Sequence, residues 1–172
     1  MTDSSGRLLG RVRADGDRWV LRMEDRFEAA IGDVWAALSE PPRLQKWIGE
    51  VDGDLCPGGM YRRRFFASGS EGTGRIEACE APRRLVVRHF AERADEHLID
   101  ISLAVDGDGT RFVAETFELP SEKLFAYGAG IQIHVEDLGD YLAGREVAND
   151  ESRWDALLPR YKELTARSGI PS

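Results

Sequence analysis

The sequence predicts an α+β fold in which a curved antiparallel sheet wraps around a long C-terminal helix. Three observations support this prediction. Residues 7–27 alternate apolar and polar side chains around a turn, residues 50–119 repeat this alternation between turn sequences, and residues 128–167 carry apolar side chains at helical spacing. A curved sheet has to cover its concave face with an apolar element, and the C-terminal helix provides one.

The N-terminal segment is predicted to be a hairpin followed by two short helices. Residues 14–17 have turn chemistry and separate the two alternating stretches of the hairpin. The apolar spacing then becomes helical, at Ile31, Val34, Trp35 and Leu38. Pro41 and Pro42 end this helix, and a second short helix carries Leu44 and Trp47.

Turn sequences divide residues 50–119 into roughly six predicted strands. Residues 106–109 indicate the last hairpin turn. In the strand before that turn, one face is apolar and the other is polar. In residues 110–119 the set Phe112, Ala114 and Thr116 competes for the inner face with the set Val113, Glu115, Phe117 and Leu119. The register of this strand therefore stays open.

The C-terminal segment is predicted to be helical and to begin at Gly128-Ala129-Gly130. It carries an apolar stripe at Ile131, Val135, Leu138 and Leu142. A second amphipathic stretch carries Trp154 and Tyr161, which suit either intramolecular packing or the contact of a homodimer. Without internal repeats, residues 1–172 are predicted to be a single domain, with residues 1–6 disordered.

Composition restricts the classes of partner. The chain has 172 residues and a net charge of -8, which repels phosphate backbones and anionic lipid, so we expect neither nucleic acid binding nor membrane insertion. The N-terminus lacks the pattern of a secretory signal, and there are only two cysteines, so we expect a cytoplasmic protein without disulfides. No Cys/His cluster indicates a metal site, and we expect no cofactor.

Several short motifs occur in an order that resembles a known family. They are Val34-Trp35, Leu44 with Trp47, Pro57-Gly58-Gly59, Gly72-Thr73-Gly74-Arg75-Ile76, Pro82 with Leu85, and Gly109-Thr110. Together they resemble the Hsp90-ATPase-activator-homologue-like family of the START/polyketide-cyclase-like (SRPBCC) superfamily. The resemblance implies a helix-grip (START-like) fold with a cavity between the sheet and the C-terminal helix, usually for hydrophobic molecules.

The sequence departs from the family pattern at two places. Many relatives carry a histidine before Thr-Phe on the last strand and Gly-Trp-His at the start of the last helix. Here the residues are Glu115-Thr116-Phe117 and Gly130-Ile131-Gln132. If these positions face each other, Gln132 donates to the Glu115 carboxylate and the pair forms a polar anchor in an apolar pocket. In the alternative register, Glu115 lies on the solvated face.

Two other polar residues have both a functional and a structural interpretation. His134 shares a helix flank with Asp137 and Tyr141, which suits either a general base or metal ligand or a surface histidine paired with Asp137. His89 and His97 have no local partners in the sequence. Arg63 shares one strand face with Tyr61 and Phe65, so an inward Arg63 would meet a carboxylate of Glu115 or of a ligand.

The sequence thus predicts a protein that binds a hydrophobic small molecule, with no catalytic residue. The predicted ligand-binding residues are Trp47, Tyr61, Arg63, Phe65, Glu115, Phe117, Ile131, Gln132 and Val135. Two alternatives stay open. One is a co-chaperone-like module that stimulates an Hsp90-type ATPase, and the other is a cyclase- or hydrolase-type enzyme that uses a cavity carboxylate or histidine. A continuous pocket would favour binding or catalysis, whereas a filled core would favour the interaction module.

Overall fold

A computed structural model describes residues 7–91, 94–148 and 151–170. The segment 1–6, predicted to be disordered, lies outside the described residues. Eight strands form one antiparallel sheet in the order β1-β2-β8-β7-β6-β5-β4-β3. The strands are β1 Gly10–Asp15, β2 Arg18–Phe27, β3 Gly49–Gly53, β4 Met60–Phe65, β5 Glu71–Glu80, β6 Arg84–Ala91, β7 Ala94–Asp106 and β8 Gly109–Phe117.

The first hairpin joins the meander through its second strand. β1 pairs with β2, and β2 then pairs with β8, so the chain closes the N-terminal hairpin onto the last hairpin of the meander. Strands β3 to β8 follow one another as antiparallel neighbours. The alternating pattern of the sequence is reproduced in the burial of β4, where Tyr61 and Arg63 are buried between exposed neighbours.

Two short helices connect β2 to β3, as predicted. They are α1 Ile31–Ser39 and α2 Pro41–Trp47. The prolines begin α2 because a proline is tolerated in the first turn, where its missing N–H would have had no helical partner. The Trp47 indole N–H donates to the Ala37 carbonyl oxygen at 2.9 Å, so α2 is held against α1 and the Trp47 ring is buried.

The long helix α3 spans Leu124–Leu142 and is preceded by a 3₁₀ turn at Ser121–Lys123. It begins four residues before the predicted start at Gly128. The glycine lies inside the helix rather than at its start, and the Tyr161 ring of the next helix occupies the space that a Cβ of Gly128 would need. That next helix, α4, spans Ser152–Arg167. Gly128 therefore marks close packing between α3 and α4 rather than a helix end.

Candidate ligand-binding cavity

A cavity of about 400 Å³ lies between the concave face of the sheet and the helices. Most of its lining is aliphatic or aromatic and comes from α1, α2, the strands and α3. Two lining residues, Ser68 and Trp154, are exposed, and the cavity reaches solvent at them. Drug-sized ligands occupy pockets of roughly 300–1,000 Å³ with mainly apolar walls. The volume and the lining both suit a small apolar molecule.

Six of the nine predicted site residues line this cavity: Trp47, Tyr61, Arg63, Phe65, Ile131 and Val135. Strand periodicity explains three of them. Tyr61, Arg63 and Phe65 alternate along β4 and point to one side, whereas Arg62 and Arg64 are exposed on the other side. Ile131 and Val135 lie one helical turn apart on α3 and face the sheet.

Glu115 and Phe117 do not line the cavity, which corrects the prediction for both. On β8 the buried, inward residues are Phe112, Ala114 and Thr116, so their neighbours point to the outer face. There Glu115 contacts Arg13 at 3.3 Å and Arg22 at 3.5 Å. The outward register keeps the carboxylate near cations and water, whereas burial would desolvate it.

Gln132 also lies outside the cavity, although its side chain is 1% exposed. Its Oε1 accepts from the Leu9 N–H at 3.1 Å and from the Tyr161 hydroxyl at 2.6 Å. Its Nε2 donates to the Arg7 carbonyl oxygen and to Glu136 Oε1, both at 2.8 Å. Gln132 therefore ties α3 to the N-terminal segment and α4, and the predicted pair with Glu115 does not form.

Two histidines that the sequence left without partners meet in the wall of the cavity. His89 on β6 and His97 on β7 are directly opposite in the strand register, and their ring centroids lie 5.3 Å apart. His89 Nε2 and the Tyr61 hydroxyl are 3.0 Å apart, and the His97 ring lies 5.2 Å from the Tyr127 ring. A register shift between His89 and Ala91 brings the two histidines opposite each other, so counting residues outward from the turn does not predict this pair.

Burial decides the protonation of this cluster. The pKa of His89 is lowered well below 6.5, first by desolvation and then by the positive charge of Arg63. Desolvation also raises the pKa of the Tyr61 hydroxyl. Both groups are therefore neutral at pH 7, and the histidine–tyrosine contact is a hydrogen bond between uncharged groups.

His134 points into the cavity instead of pairing with Asp137. Its ring centroid is 5.1 Å from that of Phe65, and its Nδ1 is shielded from solvent without a hydrogen-bond partner. Burial lowers the pKa of His134 to about 4, and Arg63 and Arg153 act in the same direction. The Asp137 carboxylate is occupied by Arg153 at 2.6 Å. The predicted surface pair is thus replaced by a neutral imidazole in the cavity wall.

Arg63 brings a cation into this otherwise neutral lining. Its side chain is 6% exposed, and its guanidinium carbon lies 4.6 Å from the centroid of the Phe65 ring. Nη1 donates to Ser70 Oγ at 3.3 Å, and Nε has no hydrogen-bond partner. Within the described residues no carboxylate lies at ion-pair distance from Arg63, and desolvation lowers its pKa. The Glu115 partner that the sequence suggested is on the opposite face.

A comparison with protein families matches residues 28–143 to the family described as activator of Hsp90 ATPase homolog 1-like protein. This segment is more than half of the chain. The chain belongs to that family. The family predicted from the ordered motifs is therefore confirmed. The match ends before α4, so Arg153, Trp154 and Tyr161 lie beyond the matched segment of this family member.

Solved structures confirm the helix-grip fold of this family member. CalU16 from Micromonospora echinospora has a TM-score of 0.75 at 23% identity, over 91% of this chain and 96% of that one. EF2215 from Enterococcus faecalis, a conserved protein of unknown function, has a TM-score of 0.72 at 17% identity, over 92% of this chain and 91% of that one. DynU16, from the dynemicin biosynthetic locus, has 0.68 at 21% identity, over 74% of this chain and 49% of that one. Among proteins with curated descriptions, none matches the chain.

Metal-binding clusters and membrane-spanning helices are both absent from the described part of the chain. Across the described residues, no group of three or more His, Cys, Asp or Glu side chains is placed to hold a metal ion. In the same part of the chain, no helix combines the length and apolar character needed to cross a membrane.

Proposed function

We propose that this protein binds an apolar small molecule in the cavity between the sheet and α3. The observation that carries the proposal is the volume of about 400 Å³ bounded mainly by aliphatic and aromatic side chains. Protein interiors are close-packed and leave few voids larger than a water molecule. A gap of this size under the gripping helix favours a site for a ligand over incomplete packing.

The opposite flank of α3 is packed tightly, which supports the same proposal. There the Tyr161 ring fills the space beside Gly128, and the Tyr161 hydroxyl is bound by Gln132 and by the Gly10 N–H. The helix is thus held firmly on one side while its other side borders open volume.

The residues that line the cavity run from Leu38 to Trp154 in the sequence, which favours one domain rather than two.

A direct test is titration with N-phenyl-1-naphthylamine, a neutral apolar dye whose fluorescence rises on leaving water. We expect saturable binding by the purified protein. Ile131→Trp should abolish or strongly weaken it, because Ile131 lines the cavity and the larger ring occupies part of the volume that the dye needs. Ile131→Leu is the matched control, since it conserves volume and should bind as the wild type does.

The two cysteines locate the dye. Cys79 lines the cavity, whereas Cys56 is exposed, and both are free. Bound dye should slow the reaction of N-ethylmaleimide with Cys79 and leave Cys56 unchanged, as followed by peptide mass spectrometry. Absence of saturable dye binding, or protection of neither cysteine, would refute binding in the cavity.

Stimulation of an Hsp90-type ATPase, which the family description names, is the competing function. A module of that kind acts through its surface and needs no cavity. It therefore predicts that Ile131→Trp, which changes the cavity wall, leaves ATPase stimulation intact. If the protein does not bind the dye but measurably increases the ATPase rate of Hsp90, stimulation of the ATPase replaces ligand binding as the better explanation.

Catalysis in the cavity is supported less well. His134 and His89 do lie in the wall with displaced pKa values, as an enzyme site would require. The displacement, however, is downward, to about 4 for His134, which makes its imidazole a weak base at pH 7. A neutral imidazole of this kind is better suited to hydrogen bonding with a ligand.

A further inference from the structure

The polar atoms of the cavity are concentrated around Phe65 on β4. Arg63 stacks on one part of the Phe65 ring, with its guanidinium carbon 4.6 Å from the centroid. His134 approaches the same ring from α3, with the two centroids 5.1 Å apart. Both side chains carry a shielded nitrogen without a hydrogen-bond partner, Nε of Arg63 and Nδ1 of His134. The fold therefore places two unsatisfied polar groups against the same aromatic ring.

Such groups are unusual in a native interior. Buried polar side-chain atoms nearly always have a hydrogen-bond partner, and buried charges are paired. Only 6% of the surface of Arg63 is exposed. Among the described residues, its side chain donates a hydrogen bond only to Ser70 Oγ. A missing partner at this point indicates a group that arrives with the ligand.

The rest of the lining limits what that ligand can be. Among the described lining residues Arg63 is the sole Arg, Lys, Asp or Glu, His89 and His134 are neutral at pH 7, and most of the other walls are aliphatic, aromatic or hydroxyl-bearing. A second charge on the ligand would be buried without a partner. The ligand body therefore has to be uncharged and apolar.

Building on the proposed function, we infer that the ligand is a hydrophobic monoanion whose carboxylate or similar oxyanion is bound by Arg63. The planar guanidinium donates charge-assisted hydrogen bonds to the anion. His134, whose ring centroid lies 5.1 Å from that of Phe65, hydrogen-bonds the same head group, while the hydrocarbon body extends along the apolar wall. Arg63 thus selects for charge, and the cavity selects for apolar shape.

Matched competitors of one chain length test this inference. Dodecanoate, dodecan-1-ol and dodecyltrimethylammonium are used to displace N-phenyl-1-naphthylamine, which is itself neutral. On wild-type protein, dodecanoate should compete about 10- to 100-fold better than dodecanol, because hydrogen bonds to a buried charged group are the strong ones. The ammonium compound should compete worst. Equal competition by dodecanoate and dodecanol would overturn the inference and leave the proposed function standing.

Variants at Arg63 assign the preference to that side chain. Arg63→Met and Arg63→Gln should bind the dye, lose the preference for dodecanoate and gain affinity for dodecyltrimethylammonium. Structural damage would weaken all three competitors together, so this opposite change separates lost charge from lost fold. Arg62→Met, on the exposed face of the same strand, should keep the wild-type order.

The possible results separate the two levels of the argument. If the dye does not bind wild-type protein, the proposed function fails. If the dye binds and an Arg63 variant still prefers dodecanoate, Arg63 is not the anion site and the inference fails alone. If both Arg63 variants bind the dye and lose the preference for dodecanoate, while Arg62→Met keeps that preference, both are supported.

Discussion

Removal of the Arg153 side chain should destabilise the protein by detaching the first turn of α4 from α3. The Arg153 guanidinium binds Asp137 at 2.6 Å and Glu136 at 2.8 Å, and it donates to the Ile133 and Ala148 carbonyl oxygens at 3.3 and 3.1 Å. The Asp137 side chain is 1% exposed, so it would be left as a buried carboxylate without a counter-ion.

The size of the effect follows from this burial. Breaking a buried ion pair by removing one partner costs about 3–5 kcal/mol. The Arg153 side chain is 20% exposed, and water can enter where it is removed, so we expect about 3 kcal/mol for Arg153→Ala. Trp154, the next residue, lines the cavity, so the same variant should also release N-phenyl-1-naphthylamine faster in stopped-flow fluorescence.

The loss should depend on pH with a defined sign. Burial already raises the pKa of Asp137 above its ordinary value of 3.8, in spite of Arg153, and loss of Arg153 raises it further. Where the folded pKa exceeds the unfolded one, the folded state binds more protons, so stability rises as the pH falls through that window. Urea denaturation followed by circular dichroism should therefore show a larger loss at about pH 7 than at about pH 4.5.

Two variants serve as controls for Arg153→Ala. Arg167→Ala removes an exposed pair with Glu163 on the same helix and should cost at most about 0.5 kcal/mol. Adding Asp137→Asn to Arg153→Ala should recover stability at neutral pH, because the unpaired charge is gone. A loss below about 1 kcal/mol, or an equal loss at both pH values, would refute the reasoning.

Three further predictions test the site itself. Glu115→Ala should lower the free energy of unfolding in urea by at most about 1 kcal/mol, because its ion pairs lie on the outer face. Its affinity for the dye should equal that of the wild type. An affinity weaker by about tenfold would show that Glu115 contributes to the cavity after all. Gly74→Ala should cost about 1–3 kcal/mol, because a Cβ there overlaps the Tyr61 ring; wild-type thermal unfolding would contradict that overlap. The His134 ring should titrate with a pKa of about 4 in NMR, lowered from 6.5 by burial and by Arg63; a midpoint near 6.5 would contradict the burial.

The His134 prediction also has a consequence for stability. Between its folded pKa of about 4 and the ordinary 6.5, the unfolded chain binds more protons. The contribution of His134 is therefore fully present above pH 6.5 and is lost as the pH falls through that window. His134→Phe should reduce this slope. The matched control for Gly74→Ala is Gly32→Ala, because a Cβ at residue 32 meets nothing within 4 Å. The matched control for Glu115→Ala is Glu24→Ala, which removes another carboxylate from the outer face.

Much of the fold could be predicted because it depends on neighbours in sequence. Strand alternation places Arg63 with Tyr61 and Phe65 on one face, and the prolines at 41 and 42 divide two short helices, all without reference to distant residues. The start of α3 could not be predicted in this way. Gly128 has the chemistry of a helix break, but it lies within α3, where the Tyr161 ring packs into the space that a Cβ would need.

The candidate site divides along the same boundary. The sequence by itself determined which residues share a strand or helix face, because that depends on the local backbone period of two or 3.6 residues. Tertiary structure alone decided that β8 turns Glu115 outward, that Gln132 is bound by Leu9 and Tyr161, and that His134 meets Arg63 beside Phe65. These outcomes depend on strand register and on contacts between segments that are distant in sequence. The free-energy cost of burying a charge or of leaving a cavity depends on all the segments that pack around it, so local sequence does not determine it.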